Sequence, residues 1–393
     1  MNAPFLIAGG GIGGLAAALA LARGGHRVQL FEQAPAWGEL GAGVQLGPNA
    51  TRLFQGWGLE ARLLAIAAAP RQLNVRRMGD GAALARMRLG QPIKARYGAP
   101  YLTVHRGDLH ALLLQAARAG GAELHLNRRI TQIDTGEGPV GLRFQGGEAA
   151  QGELLVGADG VWSRVREQLL GDGPALPTGH LAYRALVQQT ELPAALRSRD
   201  VNVWMGTKAH VVAYPVRRGE WLNLVAIVEG DGAGEPGDWD QQAHGAELIA
   251  ALGRLAPDLA ELVRAPAAWR LWSLHQRPPL RGAGEMARGR VALLGDAAHP
   301  MLPYLAQGAA MALEDAAELA QALQAQPPGA DAAAALQRYA QGRWARCARV
   351  QRRARRNGAI FHASGPVQWG RDLSLRLLGG RLMDVPWLYQ AGR

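Results

Sequence analysis

Three junctions in this chain place glycine and an acid where a phosphorylated ligand would need them. The first is Gly9-Gly10-Gly11-Ile12-Gly13-Gly14, with an apolar run at 5–8 before it and an Ala/Leu-rich stretch at 15–23 after it. In this strand–turn–helix context Gly9 permits the tight turn, Gly11 lets backbone approach a pyrophosphate, and Gly14 lets the helix pack closely on the strand. The helix start adds bare N–H groups and a favourable dipole. Glu32 closes a second strand, 26–31, at the ~20-residue offset where an acid meets a ribose hydroxyl. Its charge disfavours a 2′-phosphate, so the turn suits FAD or NAD better than NADP. At the second junction, Gly157-Ala158-Asp159-Gly160, the acid either binds a ligand or fixes the turn through its own side chain. At the third, within 289–318, Asp296 ends a strand and Gly308 opens an alanine-rich helix, leaving backbone N–H groups for a polar ligand edge.

A second chemistry is written at 210–215. On a strand His210, Val212 and Tyr214 share a face. An imidazole and a phenol two steps apart could together bind and deprotonate a phenolic hydroxyl. The plainer alternative is a half-buried histidine and an interfacial tyrosine with satisfied hydrogen bonds. Arg184 and Arg217 each offer a fork that matches a carboxylate, and the sequence does not choose between them. His299, beside Pro300 in a loop, reads as structural.

These residues need elements to carry them. From the N-terminus to about 174, short strands alternate with helices, the grammar of a parallel sheet. Asn49 is placed to cap a helix from about 50, Asp108 a helix at 110–118, and Ser163 the helix after the second junction. The strand 129–133 gives Ile130 a backbone position for an adenine contact. The stretch 73–89 alternates in the manner of exposed antiparallel strands, and from about 176 the pattern becomes long alternating strands (181–188, 201–205, 210–216, 221–228) that imply an antiparallel sheet. A Gly/Pro/acid loop is expected at 231–240, one helix over 246–263, and a helical tail beyond Pro327-Pro328, with a solvated basic helix at 336–356.

Composition bounds the class. A chain of 393 residues with 48% apolar content can bury sizeable cores, and the single Cys347 excludes an intrachain disulfide and any Cys-rich metal site. The apolar run 8–22 is too short to span a bilayer and has no basic leader, so a signal peptide and a membrane span are not expected. The net charge of +11 comes without a nucleic-acid-binding module, and nucleic acid is not an expected partner.

The order and spacing of the three junctions resemble the single-component flavoprotein aromatic hydroxylases, the para-hydroxybenzoate hydroxylase-like family, over nearly the whole chain. The wording QLGPNA and LAQGAAMALEDA is most similar to the salicylate and 3-hydroxybenzoate hydroxylase branch. One departure is Pro303, where some 3-hydroxybenzoate enzymes carry a polar side chain. The resemblance implies an α/β fold: a Rossmann-type FAD-binding domain (1–70, 101–174 and 284–326), an inserted antiparallel-sheet substrate domain (71–100 and 175–283), and C-terminal helices (327–393). It implies FAD held by Gly9, Gly11, Gly14, Glu32, Asp159, Asp296 and Gly308. Val44 and Gln45, in the glycine-dense loop 38–50, would lie near the flavin ring, with Arg106 on the flavin chain and Pro303 over its reactive edge. His210 and Tyr214 would serve the substrate.

The activity implied is hydroxylation of a small phenolic aromatic acid through a flavin hydroperoxide, with NADH or NADPH as transient co-substrate and dioxygen as oxidant. The setting is cytoplasmic, with a homodimer left open as the assembly. A non-phenolic substrate such as a polyketide or purine is the alternative within the class. A flavin- or NAD-binding regulatory protein using its basic helix on nucleic acid is the alternative outside it.

Overall fold

The computed structural model describes residues 3–38, 42–136, 138–230, 241–327 and 331–390. The chain forms two compact units. One comprises Met1–Leu40, Gly107–Leu176 and Gln276–Ala354; the other comprises Gly41–Arg106, Pro177–His275 and Arg355–Arg393. The loop expected at 231–240, Glu39, Leu40 and Gly41 of the glycine-dense loop, and Pro328 lie outside the described residues.

The first unit is built on a six-stranded sheet ordered Ala287–Arg288, Val291–Leu293, Leu154–Gly157, Phe5–Ala8, Val28–Phe31, Glu123–His125. Its central pairs are parallel, and one antiparallel hairpin forms the edge. Phe5–Ala8 and Leu154–Gly157 are buried along their whole length. Their unbroken apolar runs therefore fit strands covered on both faces. The helix Ile12–Arg23 packs on the helix Gly308–Gln324 through small side chains, with Ala16, Ala20, Ala312 and Ala316 all buried. A separate antiparallel sheet of Ile130–Asp134, Val140–Phe144 and Ala149–Gly152 completes this unit's strands.

The second unit holds an eight-stranded sheet ordered Gln241–Ala243, Trp269–Gln276, Leu176–Gln188, Trp221–Glu229, Ala209–Val216, Val201–Met205, Gln72–Arg77, Ala83–Arg88. Val201–Met205 and Gln72–Arg77 pair in parallel, and the other described registers are antiparallel. Side chains alternate across it. One face (Val211, Ala213, Leu224, Ala226, Tyr183, Ala185) joins Leu248, Leu252, Leu259 and Leu262 in a buried apolar cluster. Those leucines come from two helices, Gly245–Leu252 and Pro257–Arg264, where the sequence pattern reads one. Gly253 turns left-handed at φ +68° and Pro257 starts the second helix, which breaks the run.

The α/β class, the parallel and antiparallel sheets and the C-terminal helices all match expectation. The tail comprises Ala332–Phe361, Gly365–Leu378, Gly380–Met383 and Pro386–Tyr389. Its long helix is not uniformly solvated, however. Arg343 is 5% exposed and pairs with Glu314 and Asp315, both at 2.7 Å. Two further expectations are corrected at helix starts. The helix Pro48–Gly56 begins before Asn49, with Gly47 at its N-cap, and Arg106–Ala119 begins before Asp108. Neither polar side chain stands at the cap, because each helix opens one or two residues earlier than the polar signal. Ser163 does cap its helix, accepting from the Arg166 amide at 2.9 Å.

Candidate active site

In the first unit the three junctions form backbone cradles. Gly9 has φ +104°, and a Cβ there would lie 2.4 Å from the Ala158 carbonyl oxygen. A Cβ on Gly14 would come within 1.9 Å of the Gly9 oxygen, so the helix can sit on its strand only with glycine at that place. Gly11 is the N-cap of Ile12–Arg23. No side chain caps this helix and its first turn has no acid, so its N–H groups are offered to a ligand. Glu32 accepts from the Gly10 amide at 2.6 Å and from the Ala34 amide at 2.8 Å. Each carboxylate oxygen keeps further acceptor capacity for a ribose hydroxyl. The buried ring of His110 supports the turn, its Nε2 lying 2.8 Å from the Gly10 carbonyl oxygen.

Asp159 takes the turn-fixing role that the sequence left as its alternative. Its carboxylate accepts from Ser163 Oγ, the Arg164 amide at 2.9 Å and the Val165 amide at 3.2 Å. Burial pushes this carboxyl up, and those hydrogen bonds oppose the shift. Arg166 links the second junction to the third, donating to the Ala297 and Ala298 carbonyls at 3.1 and 2.6 Å.

At the third junction Gly295 has φ +62° and its amide donates to Asp315 at 3.0 Å. Asp315 also holds His299 Nε2 at 2.6 Å, which gives His299 the structural role expected of it. Burial raises the Asp315 carboxyl, but His299 and Arg343 outweigh it and hold the group well below the usual carboxylate range. Asp296 is exposed at the turn. Pro303 opens the short 3-10 turn Pro303–Leu305, and Gly308 is the first residue of an uncapped helix with no acid in its first turn. Ile130 is half-buried and pairs with Phe144.

In the second unit Gly43–Leu46 pairs with Leu102–His105, which leaves Val44 and Gln45 half-buried. Gln45 Oε1 accepts from the Tyr101 hydroxyl at 2.5 Å. Arg106 begins its helix with its amide bonded to the Ala42 carbonyl at 2.7 Å.

The opposite face of the eight-stranded sheet carries the other polar residues. Val212 and Val225 face each other across neighbouring strands and are half-exposed, forming an apolar floor. His210 lies beyond one end of it. Tyr214, paired with Asn223, lies beyond the other. The strand rise of ~3.3 Å per residue separates these two by roughly 13 Å. They stand at opposite ends of the floor.

Arg184 stands across from Val225 on the same face, its guanidinium 3.8 Å from the centroid of the Trp272 ring. Arg217 instead lies in the turn after the His210 strand, 3.3 Å from His105 Nδ1. The structure thus separates the two arginines that the sequence could not.

His210 and Tyr214 are both neutral near pH 7. Burial, then His362 and His180, hold the His210 imidazole well below its ordinary range. Burial pushes the Tyr214 phenol up, against Arg184 and the Asn223 hydrogen bond. His210 Nδ1 lies 2.9 Å from His362 Nε2, and the His210 ring meets Phe361 edge-on at 5.3 Å. Sequence reading missed His362, Asn223 and Trp272. Only strand register identifies Asn223, through its place opposite Tyr214.

The FAD binding domain family model matches residues 2–354, and the chain belongs to that family. The 3-hydroxybenzoate 6-hydroxylase of Polaromonas naphthalenivorans (strain CJ2) is 39% identical over 390 residues, 98% of this chain and 95% of that protein. The 6-hydroxynicotinate 3-monooxygenase of Bordetella bronchiseptica is 40% identical over 354 residues, covering 88% of this chain and 89% of that protein. Among solved structures, Klebsiella pneumoniae HpxO complexed with FAD and uric acid matches with a TM-score of 0.85. Its identity is 27%, over 97% of this chain and 94% of that chain. The family resemblance read from the junctions is borne out.

Proposed function

We propose that the protein is an FAD-dependent monooxygenase that uses NADH or NADPH and dioxygen to hydroxylate a small phenolic aromatic acid of the hydroxybenzoate, salicylate or hydroxypyridine type. The observation that carries this reading is the Val212–Val225 floor, with His210 beyond one end, Tyr214 beyond the other and Arg184 level with Val225 on the neighbouring strand. A planar ring carrying a hydroxyl on one side and a carboxylate on another suits such a surface. The 3-hydroxybenzoate and 6-hydroxynicotinate enzymes named above act, by their names, on molecules of this kind.

The residues present fit FAD. Glycine stands wherever a Cβ would fill the cradle, two helix starts are left uncapped, and Glu32 is positioned by backbone amides. Gly9, Gly11, Gly14, Glu32, Asp296 and Gly308 would hold it. Val44, Gln45, Arg106, Ile130 and Pro303 are assigned to the cofactor as the resemblance implies, while Asp159 fixes the turn of the second junction. The domain bounds proposed are 1–70, 101–174 and 284–326 for FAD, 71–100 and 175–283 for substrate, and 327–393 for the tail. FAD, when bound, accepts a hydride from reduced nicotinamide and, with dioxygen, supplies the hydroxyl group to the ring.

The chain's own part is to position and activate the substrate. His210 Nε2 accepts the phenolic proton, which makes the ring electron-rich. Arg184 pairs with the carboxylate, and the Tyr214 hydroxyl donates to it. Val212 and Val225 keep the ring's surroundings apolar.

No described helix is long and apolar enough to cross a membrane. A cytoplasmic setting is supported by the near-absence of cysteine. A homodimer is supported by the exposed apolar row Trp369, Leu373 and Leu377 on the helix Gly365–Leu378, and light scattering checks it.

The deciding experiment follows NADH and NADPH consumption by the purified protein across a panel of hydroxybenzoates and hydroxypyridines, with product analysis. One phenolic acid should stimulate oxidation and appear as hydroxylated product. His210→Ala should slow hydroxylation by about 10²–10⁴-fold; an undiminished rate would remove His210 from the mechanism. The likeness to HpxO bound to uric acid favours a second reading, a purine or other non-phenolic heterocycle. Stimulation by urate, with His210 dispensable, would select it.

A further inference from the structure

His210 is 2% exposed, and its surroundings oppose a positive charge. A base so placed is a poor final acceptor for a proton, since an imidazolium formed there would be buried and uncompensated. Its neighbours offer a way out. Nδ1 of His210 lies 2.9 Å from Nε2 of His362, and Nδ1 of His362 lies 3.4 Å from a carboxylate oxygen of Glu229. Along this row the side chains pass from buried to open: His362 is 3% exposed and Glu229 is 37% exposed.

We propose that His210, His362 and Glu229 form a proton relay that carries the substrate's phenolic proton from the ring-binding face to solvent. The proposal rests on the hydroxylase reading above, with His210 as the group that takes that proton.

The tautomers follow from the partners. The Glu229 carboxylate favours the proton on His362 Nδ1, which leaves Nε2 as an acceptor. His210 Nδ1–H then donates to it, and Nε2 of His210 carries a lone pair. When the phenolic O–H bond breaks, its proton bonds to His210 Nε2. The His210 Nδ1 proton moves to His362 Nε2, and the His362 Nδ1 proton moves to Glu229 and on to water. The substrate is left as phenolate, one proton has entered solvent, and neither ring holds a net charge at the end. Return of both rings to their starting tautomers resets the row.

The surroundings suit neutral transfer. His362 is held down to about 4 by burial, then His180 and Arg371. His180, from the strand Leu176–Gln188, sets its ring edge-on to His362 at 5.3 Å and stands opposite Glu229 in register. The Lys208 amide donates to the His362 carbonyl at 3.1 Å, and Arg371 donates to the Phe361 carbonyl at 2.8 Å, which fixes the backbone under the relay ring. His180, Arg371 and Lys208 thus bring positive or neutral groups, and Glu229 brings the negative one.

The test uses oxidised, FAD-loaded protein without reduced nicotinamide, so that no turnover occurs. The probe is 3-hydroxybenzoate, replaced by 3-amino-4-hydroxybenzoate or 6-hydroxynicotinate if it leaves the flavin spectrum unperturbed. A stopped-flow pH jump follows ionisation of the bound probe by its absorbance. In His362→Gln the ionisation should be at least roughly tenfold slower than in the native protein, with the rate restored by added imidazole. Glu229→Gln should slow it in the same direction.

A native rate in His362→Gln, with His210→Gln slow, overturns the relay and leaves the base assignment standing. A native rate in His210→Gln, or no ionisation of any bound probe in the native protein, overturns the base assignment and the relay with it. Should His362→Gln fail to retain FAD, the exposed Glu229→Gln decides, and a native rate there overturns the relay.

Discussion

Gly43 packs against the ring of Tyr214 so closely that a Cβ at Gly43 would lie 2.4 Å from it. The same glycine donates its amide to Asn223 at 2.7 Å, and Asn223 stands opposite Tyr214 in the sheet. Gly43→Ala should therefore displace the tyrosine ring from its place beside the floor. A cost of about 1–3 kcal/mol is expected from overpacking. The melting temperature and the KM for the aromatic substrate should both move. A KM unchanged beside a lowered melting temperature would detach Tyr214 from substrate binding.

The two candidate arginines separate cleanly by experiment. Arg184→Ala should raise KM for a carboxylated phenol by roughly tenfold or more, as expected for loss of a charge-assisted pair of about 1.5–3 kcal/mol. The same variant should treat the matching phenol without its carboxylate nearly as the native protein does. Arg217→Ala, at the turn beside His105, should leave both KM values near native. The opposite pattern would transfer the carboxylate to Arg217.

Glu32 holds the Gly10 turn by one oxygen and the Ala34 amide by the other. Glu32→Ala removes both bonds and the acceptor for a ribose hydroxyl. FAD should bind about 10–100-fold more weakly, in line with about 1.5–3 kcal/mol for hydrogen bonds to a charged group. Fluorescence titration of the apoprotein with FAD reads this directly, and native affinity would exclude Glu32 from the cofactor site.

The buried group of His299, Asp315, Arg343 and Cys347 gives stability a defined pH profile. Asp315 ionises well below the usual carboxylate range, so the stability it contributes is present above its unfolded value and is lost as pH falls through the depressed folded value. Burial opposes charge on His299, yet Cys347 and Asp315 hold it well above its ordinary range. Its contribution is complete below the unfolded histidine value and is lost as pH rises through the elevated one. Asp315→Asn should cost about 3–5 kcal/mol, since His299 would remain buried without its counter-charge and Arg343 would keep only Glu314. The loss should be widest between the two transitions, as measured by denaturant unfolding from acid to alkaline pH. A constant difference at every pH would mean that the pair is not ionised.

Much of the cofactor side was legible because its chemistry is local. Gly9 and Gly14 are required by contacts with Ala158 and with Gly9 itself, and strand–turn–helix context announces such contacts in one short stretch. The substrate side was legible only in part. Alternation placed His210, Val212 and Tyr214 on one face, but nothing local says what lies across from them. His362 meets His210 from 152 positions away, and Asn223 meets Tyr214 only through strand register. The burial of Arg343 was hidden for the same reason, because Glu314 and Asp315 belong to another helix. Asp108 and Asn49 misled at helix starts because Arg106 and Pro48 already adopt helical backbone ahead of them.

The strict alternation of the eight-stranded sheet also bears on how this protein can change. Along Ala209–Val216, Ala209, Val211 and Ala213 enter the apolar cluster under the helices, while His210, Val212 and Tyr214 look the other way; Trp221–Glu229 repeats the division with Asn223 and Val225. Durability and taste are thus written on interleaved letters of the same strands. A library confined to positions 212 and 225 should explore new substrates while sparing the scaffold, and one shifted by a single residue should do little but melt it.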